Sequence, residues 1–157
     1  MAMKSEGAGS RVPVSAAGAG HGARRSLAWQ VLSALLLLIM GAIHLYLTFN
    51  GVGGTLGTLF VLNAVGGLVL AIAIVVLRGR LLLLASVLST LFMAGTLLAL
   101  VLALTVGLFG IHEVLSYQLV PTTLVVESIG TIVLAVTTGL VYQTVRGSLT
   151  QSPGVRI

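Results

Sequence analysis

The chain has 157 residues, of which 57% are hydrophobic and 7% charged, and its net charge is +5. A soluble domain carries about 25% charged residues, so this surface is built for hydrocarbon rather than for water. The absence of cysteine and of aspartate excludes disulfides, thiolate metal sites, dithiol redox chemistry and Asp-based metal or phosphoryl-transfer motifs.

Residues 1–25 are rich in Gly, Ala and Ser and carry Lys4, Arg11, Arg24 and Arg25. They show no apolar periodicity and bury too little to offset their ordering entropy, so a disordered tail with a solvated His21 is expected. Arg24-Arg25 ahead of an apolar run also opens secretory signal peptides. The run here is longer than a usual h-region and no small-x-small cleavage site follows, which fits a signal-anchor better.

The first apolar segment predicts a helix over about 27–48, with Trp29 at the headgroup boundary inside the Arg pair. Gln30, Ser33, Leu37, Gly41, His44 and Thr48 recur at three- and four-residue steps and share one face. Phe49 to Gly54 reads as a glycine-rich turn. A second helix over about 55–77 carries a small-residue stripe, Gly57, Ala64, Gly67 and Ala71, which allows close approach of a neighbouring backbone. Asn63 lies near that stripe and needs a partner, for which the next helix is expected. Arg78-Gly79-Arg80 is a tight basic loop. A third helix over about 81–108 holds Ser86, Ser89, Thr90 and Thr96, able to bond back to the preceding turn or across to a neighbour. Residues 109–121 suit a short segment on the membrane surface. A fourth helix over about 122–142 places Glu127, Thr131, Ala135, Thr138 and Tyr142 on one face, with Gly130 beside Glu127. Residues 144–157 read as a second tail.

All eight Lys and Arg fall in the two tails or the Arg78–Arg80 loop, and the Phe49–Gly54 and Phe109–Pro121 connectors carry none. That asymmetry accounts for the basic residues without nucleic acid. The positive-inside rule predicts both termini in the cytoplasm. The fold expected is all-α, a transmembrane four-helix bundle, N-in/C-in, in a bacterial plasma membrane.

The same topology gathers His44, Asn63, His112, Glu113 and Glu127 towards the outer half. Ionisable residues inside a membrane are costly, and a functional role is the first idea to test; the plain alternative is helix clamping and water contact near the interface. Three sharper chemistries stand beside it. His44, His112 and Glu127 offer imidazole and carboxylate to a divalent metal, although no HxxxH or HExxH spacing is present. His44 and His112 are candidate axial ligands of a haem held between helices. Glu127 is a protonatable carboxyl that would couple proton movement to a small substrate, although no broken mid-membrane helix accompanies it. Gly53-Gly54-Thr55-Leu56-Gly57 lacks the Lys and the preceding strand of a phosphate loop. Met40 and Met93 read as gap-fillers.

The segments His44-Leu45-Tyr46-Leu47, Leu59 to Gly67 and Val125-Val126-Glu127 resemble a family of small uncharacterised four-span bacterial integral membrane proteins. The resemblance covers most of helices 1, 2 and 4, implies the four-span architecture and carries no activity with it. Likeness to DoxX-type four-helix proteins is architectural. Small multidrug transporters, also four-span, keep their essential Glu in the first helix, and here that helix has none. The leading expectation is a non-enzymatic accessory or interaction subunit, packed through small-residue faces on helices 2 and 4 against itself or a larger membrane complex. The alternative is a small-ligand, metal, haem or proton-coupled protein with an outer-face site. No nucleophile or metal motif supports catalysis.

Overall fold

The computed structural model describes residues 17–107 and 119–150. Among the described residues there are four helices, α1 (Ala17–Phe49), α2 (Gly54–Val76), α3 (Gly79–Thr105) and α4 (Val120–Thr150). Each contains a stretch long and apolar enough to cross a membrane. Two expected boundaries move. Residues 17–25 are helical rather than a disordered tail, and α4 continues to Thr150 rather than ending near Tyr142. In both places the chain extends an established helix, because propagation is far cheaper than nucleation.

The helices form a ring in chain order, with α1 against both α2 and α4, and α3 against α4. The α2–α3 seam is the loosest of the four. The outward faces are apolar: Val31, Leu35, Leu62, Val69, Leu84, Leu91, Ile129 and Ile132 are all exposed. In water that would be a liability; against lipid it is the expected surface. The core is a stack of Leu37, Met40, Ala71, Ile74, Met93 and Leu134.

The reason for the tight α1–α2 seam lies in its small residues. A Cβ on Gly41 would stand 3.3 Å from the Ala64 carbonyl, and one on Gly67 would stand 3.0 Å from the Leu37 carbonyl. The backbones therefore meet directly, as small residues permit in membranes. The turn that joins these helices closes through Val52 N–H to the Leu47 carbonyl at 3.1 Å, with Gly51 at φ 105°. That is a helix C-cap of the Schellman kind, which only glycine adopts cheaply.

On α4 the buried face differs from the expected one. Thr123, Glu127, Gly130, Leu134, Thr137 and Val141 point inward, whereas Ala135 and Tyr142 are exposed. Successive steps of four overshoot the 3.6-residue turn and walk off the face, while alternating steps of three and four stay on it. Gly130 lets the Met93 side chain lie against the α4 backbone. Hydroxyl pairs fasten the other half of the bundle. Thr137 donates to the Val133 carbonyl at 2.9 Å, so its oxygen is free to accept from Ser33 at 2.8 Å. Thr90 likewise donates to the Ser86 carbonyl and sits 3.0 Å from Thr138.

The α1–α2 contact makes a checkable demand. Gly67→Val should lower stability by about 1–3 kcal/mol, the usual cost of overpacking. Gly139→Ala, where a Cβ meets nothing within 4 Å, should not lower it. Thermal unfolding of the two variants in one detergent distinguishes them.

Candidate functional site

Four helices converge on one cavity of about 510 Å³. His44 comes from α1, Phe60 and Asn63 from α2, Thr96 from α3, and Thr123 and Glu127 from α4. The remaining wall is mainly Leu, Val, Ala and Phe. Its size is that of a small-molecule pocket.

His44 is positioned by its own helix. Its Nδ1 lies 2.9 Å from the Met40 carbonyl oxygen, one turn back. A carbonyl can only accept, so Nδ1 carries a proton and Nε2 faces the cavity side of the ring. Phe60 packs edge-to-face on the imidazole, with centroids 4.8 Å apart at 89°. The ring is thus fixed by a hydrogen bond on one side and an aromatic contact on another.

Glu127 is only 1% exposed. Its Oε1 lies 3.9 Å from His44 Nε2, and Thr96 lines the same cavity. The single proton of Thr96 points to the Met93 carbonyl at 2.8 Å. Glu127 Oε2 is buried and has no hydrogen-bond partner. One proton held between His44 and Glu127 leaves the pair without net charge, as acid and imidazole or as carboxylate and imidazolium. Neutrality matters here because an isolated charge among apolar walls is costly.

The gap between the two groups is informative. At 3.9 Å they stand beyond direct hydrogen-bond distance, which for such groups is about 2.7–3.2 Å. One oxygen atom placed between them reaches both at about 2.8 Å. Both residues line the cavity, and Oε2 itself is buried.

Asn63 joins from the side. Its Nδ2 donates to Met40 Sδ at 3.4 Å, so its partner is on α1 and not on the following helix. The close α1–α2 approach puts Met40 within reach, whereas the loose α2–α3 seam offers nothing nearer. Met40 therefore has two polar duties, its carbonyl to His44 and its sulfur to Asn63, beyond the gap-filling expected of it. Phe60 and Thr123 carried no signal in the sequence that set them apart from other apolar or helix-bonded residues. Thr96 was visible only as one of several helical hydroxyls.

His112 and Glu113 lie outside the described residues, so of the haem pair only His44 is described, and of the three-residue metal set only His44 and Glu127. Among the described residues, no group of three His, Cys, Asp or Glu is placed to hold a metal ion. No family model matches the chain, and searches of curated proteins and of solved structures also return no match.

The pair predicts a specific pattern of coupling. Removing either partner leaves the other polar and unmatched in an apolar wall. His44→Leu and Glu127→Leu should therefore each destabilise the protein, and the double variant should be more stable than the sum of the two predicts. The expected coupling is about 0.5–3 kcal/mol, read from a double-mutant cycle of thermal or denaturant unfolding.

Proposed function

We propose that this chain is a multi-pass protein of a bacterial plasma membrane that binds a small ligand in the outer half of its helix bundle. The observation that carries the reading is the combination of a 510 Å³ cavity with a buried His44–Glu127 pair whose Oε2 is unpartnered. A polar pair retained only for packing would be closed on itself. This pair stops at 3.9 Å, beyond direct hydrogen-bond distance, on the wall of a cavity, and Oε2 keeps no partner; these features support a ligand-orienting role.

The orientation follows from charge. Lys4, Arg11, Arg24, Arg25, Arg78, Arg80, Arg146 and Arg156 lie at one end of the sequence-defined topology, and the Asn50–Gly53 turn at the other end has none. We place both termini in the cytoplasm and the end of the cavity lined by Val52 and Leu56 towards the outer side. The native chain has no cysteine, so single cysteines report cleanly. Gly53→Cys in intact cells should react with an impermeant maleimide, and Gln151→Cys should react only after permeabilisation. The opposite pattern would invert the topology.

A second reading, an accessory or interaction subunit, is favoured by the outward α4 surface. Ala135 and Gly139 are exposed one turn apart, and a Cβ on Gly139 meets nothing within 4 Å. Small residues left uncovered in this way suit a close helix contact with another copy or a partner.

One experiment addresses both readings. Native mass spectrometry of the detergent-purified protein should show one bound small species per chain, absent from Gly95→Leu. Gly95 lines the cavity and a side chain there meets open space, so the variant fills the pocket without touching the polar pair. A chain that carries no bound mass in either protein, yet is released as a defined oligomer, would favour the subunit reading instead.

A further inference from the structure

We infer that the ligand of this pocket is a single-chain membrane lipid with a hydroxyl head, which enters sideways from the bilayer between α2 and α3. The inference rests on the pocket reading above and adds the route and the chemical class.

The route comes from residues that belong to two surfaces at once. Leu59, Leu62 and Leu91 line the cavity, yet they are 40%, 61% and 64% exposed. The first two stand on α2 and the third on α3, so the cavity reaches the outer surface along the loosest seam of the ring. Phe92 packs on Gly66 across that seam near the middle of both helices, 3.0 Å from where a Cβ would be. Above that contact, Gly95 leaves the wall open. A water-borne ligand has no use for an apolar side entrance, whereas a molecule already dissolved in the bilayer does.

The class comes from the polar end of the cavity. Most of the lining is Leu, Val, Ala and Phe, which suits one hydrocarbon chain. The polar groups cluster at His44, Thr96 and Glu127. A net-neutral pair in such surroundings disfavours a charged head, because the added charge would be uncompensated. An oxygen between Nε2 and Oε1 meets both, and a hydroxyl can donate to one group while accepting from the other. An ether or ester oxygen only accepts, so it leaves one of the two unsatisfied.

The test uses the full-length protein in lipid nanodiscs and a long-chain alcohol bearing a diazirine in its chain. Its methyl ether and a diazirine-bearing phosphatidylcholine serve as comparisons. On irradiation the alcohol should label residues 56–63 of α2 and 91–103 of α3. The ether should label about tenfold less, the ratio expected when one buried hydrogen-bonded pair is lost. Labelling should fall in Gly95→Leu, which keeps His44 and Glu127, and in Glu127→Leu. If Glu127→Leu does not fold, Gly95→Leu still decides, because the change is confined to open space. Equal labelling by alcohol and ether would overturn head recognition, and equal labelling by the phosphatidylcholine would mean ordinary bilayer lipid only. Absence of alcohol labelling while native mass spectrometry still finds a water-soluble bound mass would overturn the lipid inference and leave the pocket reading standing. Absence of both would remove the two together.

Discussion

A polar atom buried in hydrocarbon has no water to turn to, and the arrangement of this bundle follows from that constraint. Ser86, Ser89, Thr131 and Thr137 all donate to the carbonyl one turn back on their own helix. His44 does the same through Nδ1. Having spent their protons locally, these groups offer lone pairs to neighbouring helices, and the Ser33–Thr137 contact is built on such an arrangement. The exceptions are few. Among the described residues, Gln30 Oε1 and Glu127 Oε2 are buried without a partner. Gln30 lies close to the end of its span and its amide nitrogen donates to Ser26. Glu127 is different, because it lies well inside its helix bundle and its residue lines a cavity.

The void is itself a product of where the small residues fall. Gly41 and Gly67 draw α1 and α2 together at the backbone, and Gly130 seats Met93 between α3 and α4. Those two close seams fix the positions of all four helices. Among the described residues the α2–α3 seam receives no comparable backbone contact, only Phe92 on Gly66 near the middle of both helices. A ring with tight pairs and one loose side must hold a gap on that side, and His44 and Glu127 line its wall. Packing and polar satisfaction therefore meet at one place. The same helix contacts that bury Glu127 also prevent the protein from closing over it.

Much of this was legible in the chain before any coordinates. Apolar runs separated by Gly-rich or basic turns specify four helices, and the three-and-four spacing from Gln30 to Thr48 marks the α1 face that is in fact buried or half-buried. Gly67 was recognisable as a contact residue because small residues at helical spacing serve little else in lipid. The α4 face was not, since a string of Thr, Ala, Gly and Val offers several stripes of similar polarity. Only the partner helices decide between Thr131 and Gly130, or between Tyr142 and Val141. His44 and Glu127 were visible as costly residues at similar depth, yet their 3.9 Å approach depends on helix rotation that no single segment encodes. The looseness of the α2–α3 seam was invisible for the same reason.

The central claim is that His44 and Glu127 form one electrostatic unit inside the bundle. Isotope-edited infrared spectroscopy reads it most directly. The chain has only three acidic residues, Glu6, Glu113 and Glu127, so carbon-13 glutamate gives a spectrum simple enough to assign with Glu127→Gln. The account predicts that the carboxyl band of Glu127 shifts when His44 is replaced by Ala, while the bands of the other two stay in place. A Glu127 band that does not move in a folded His44→Ala protein would contradict it.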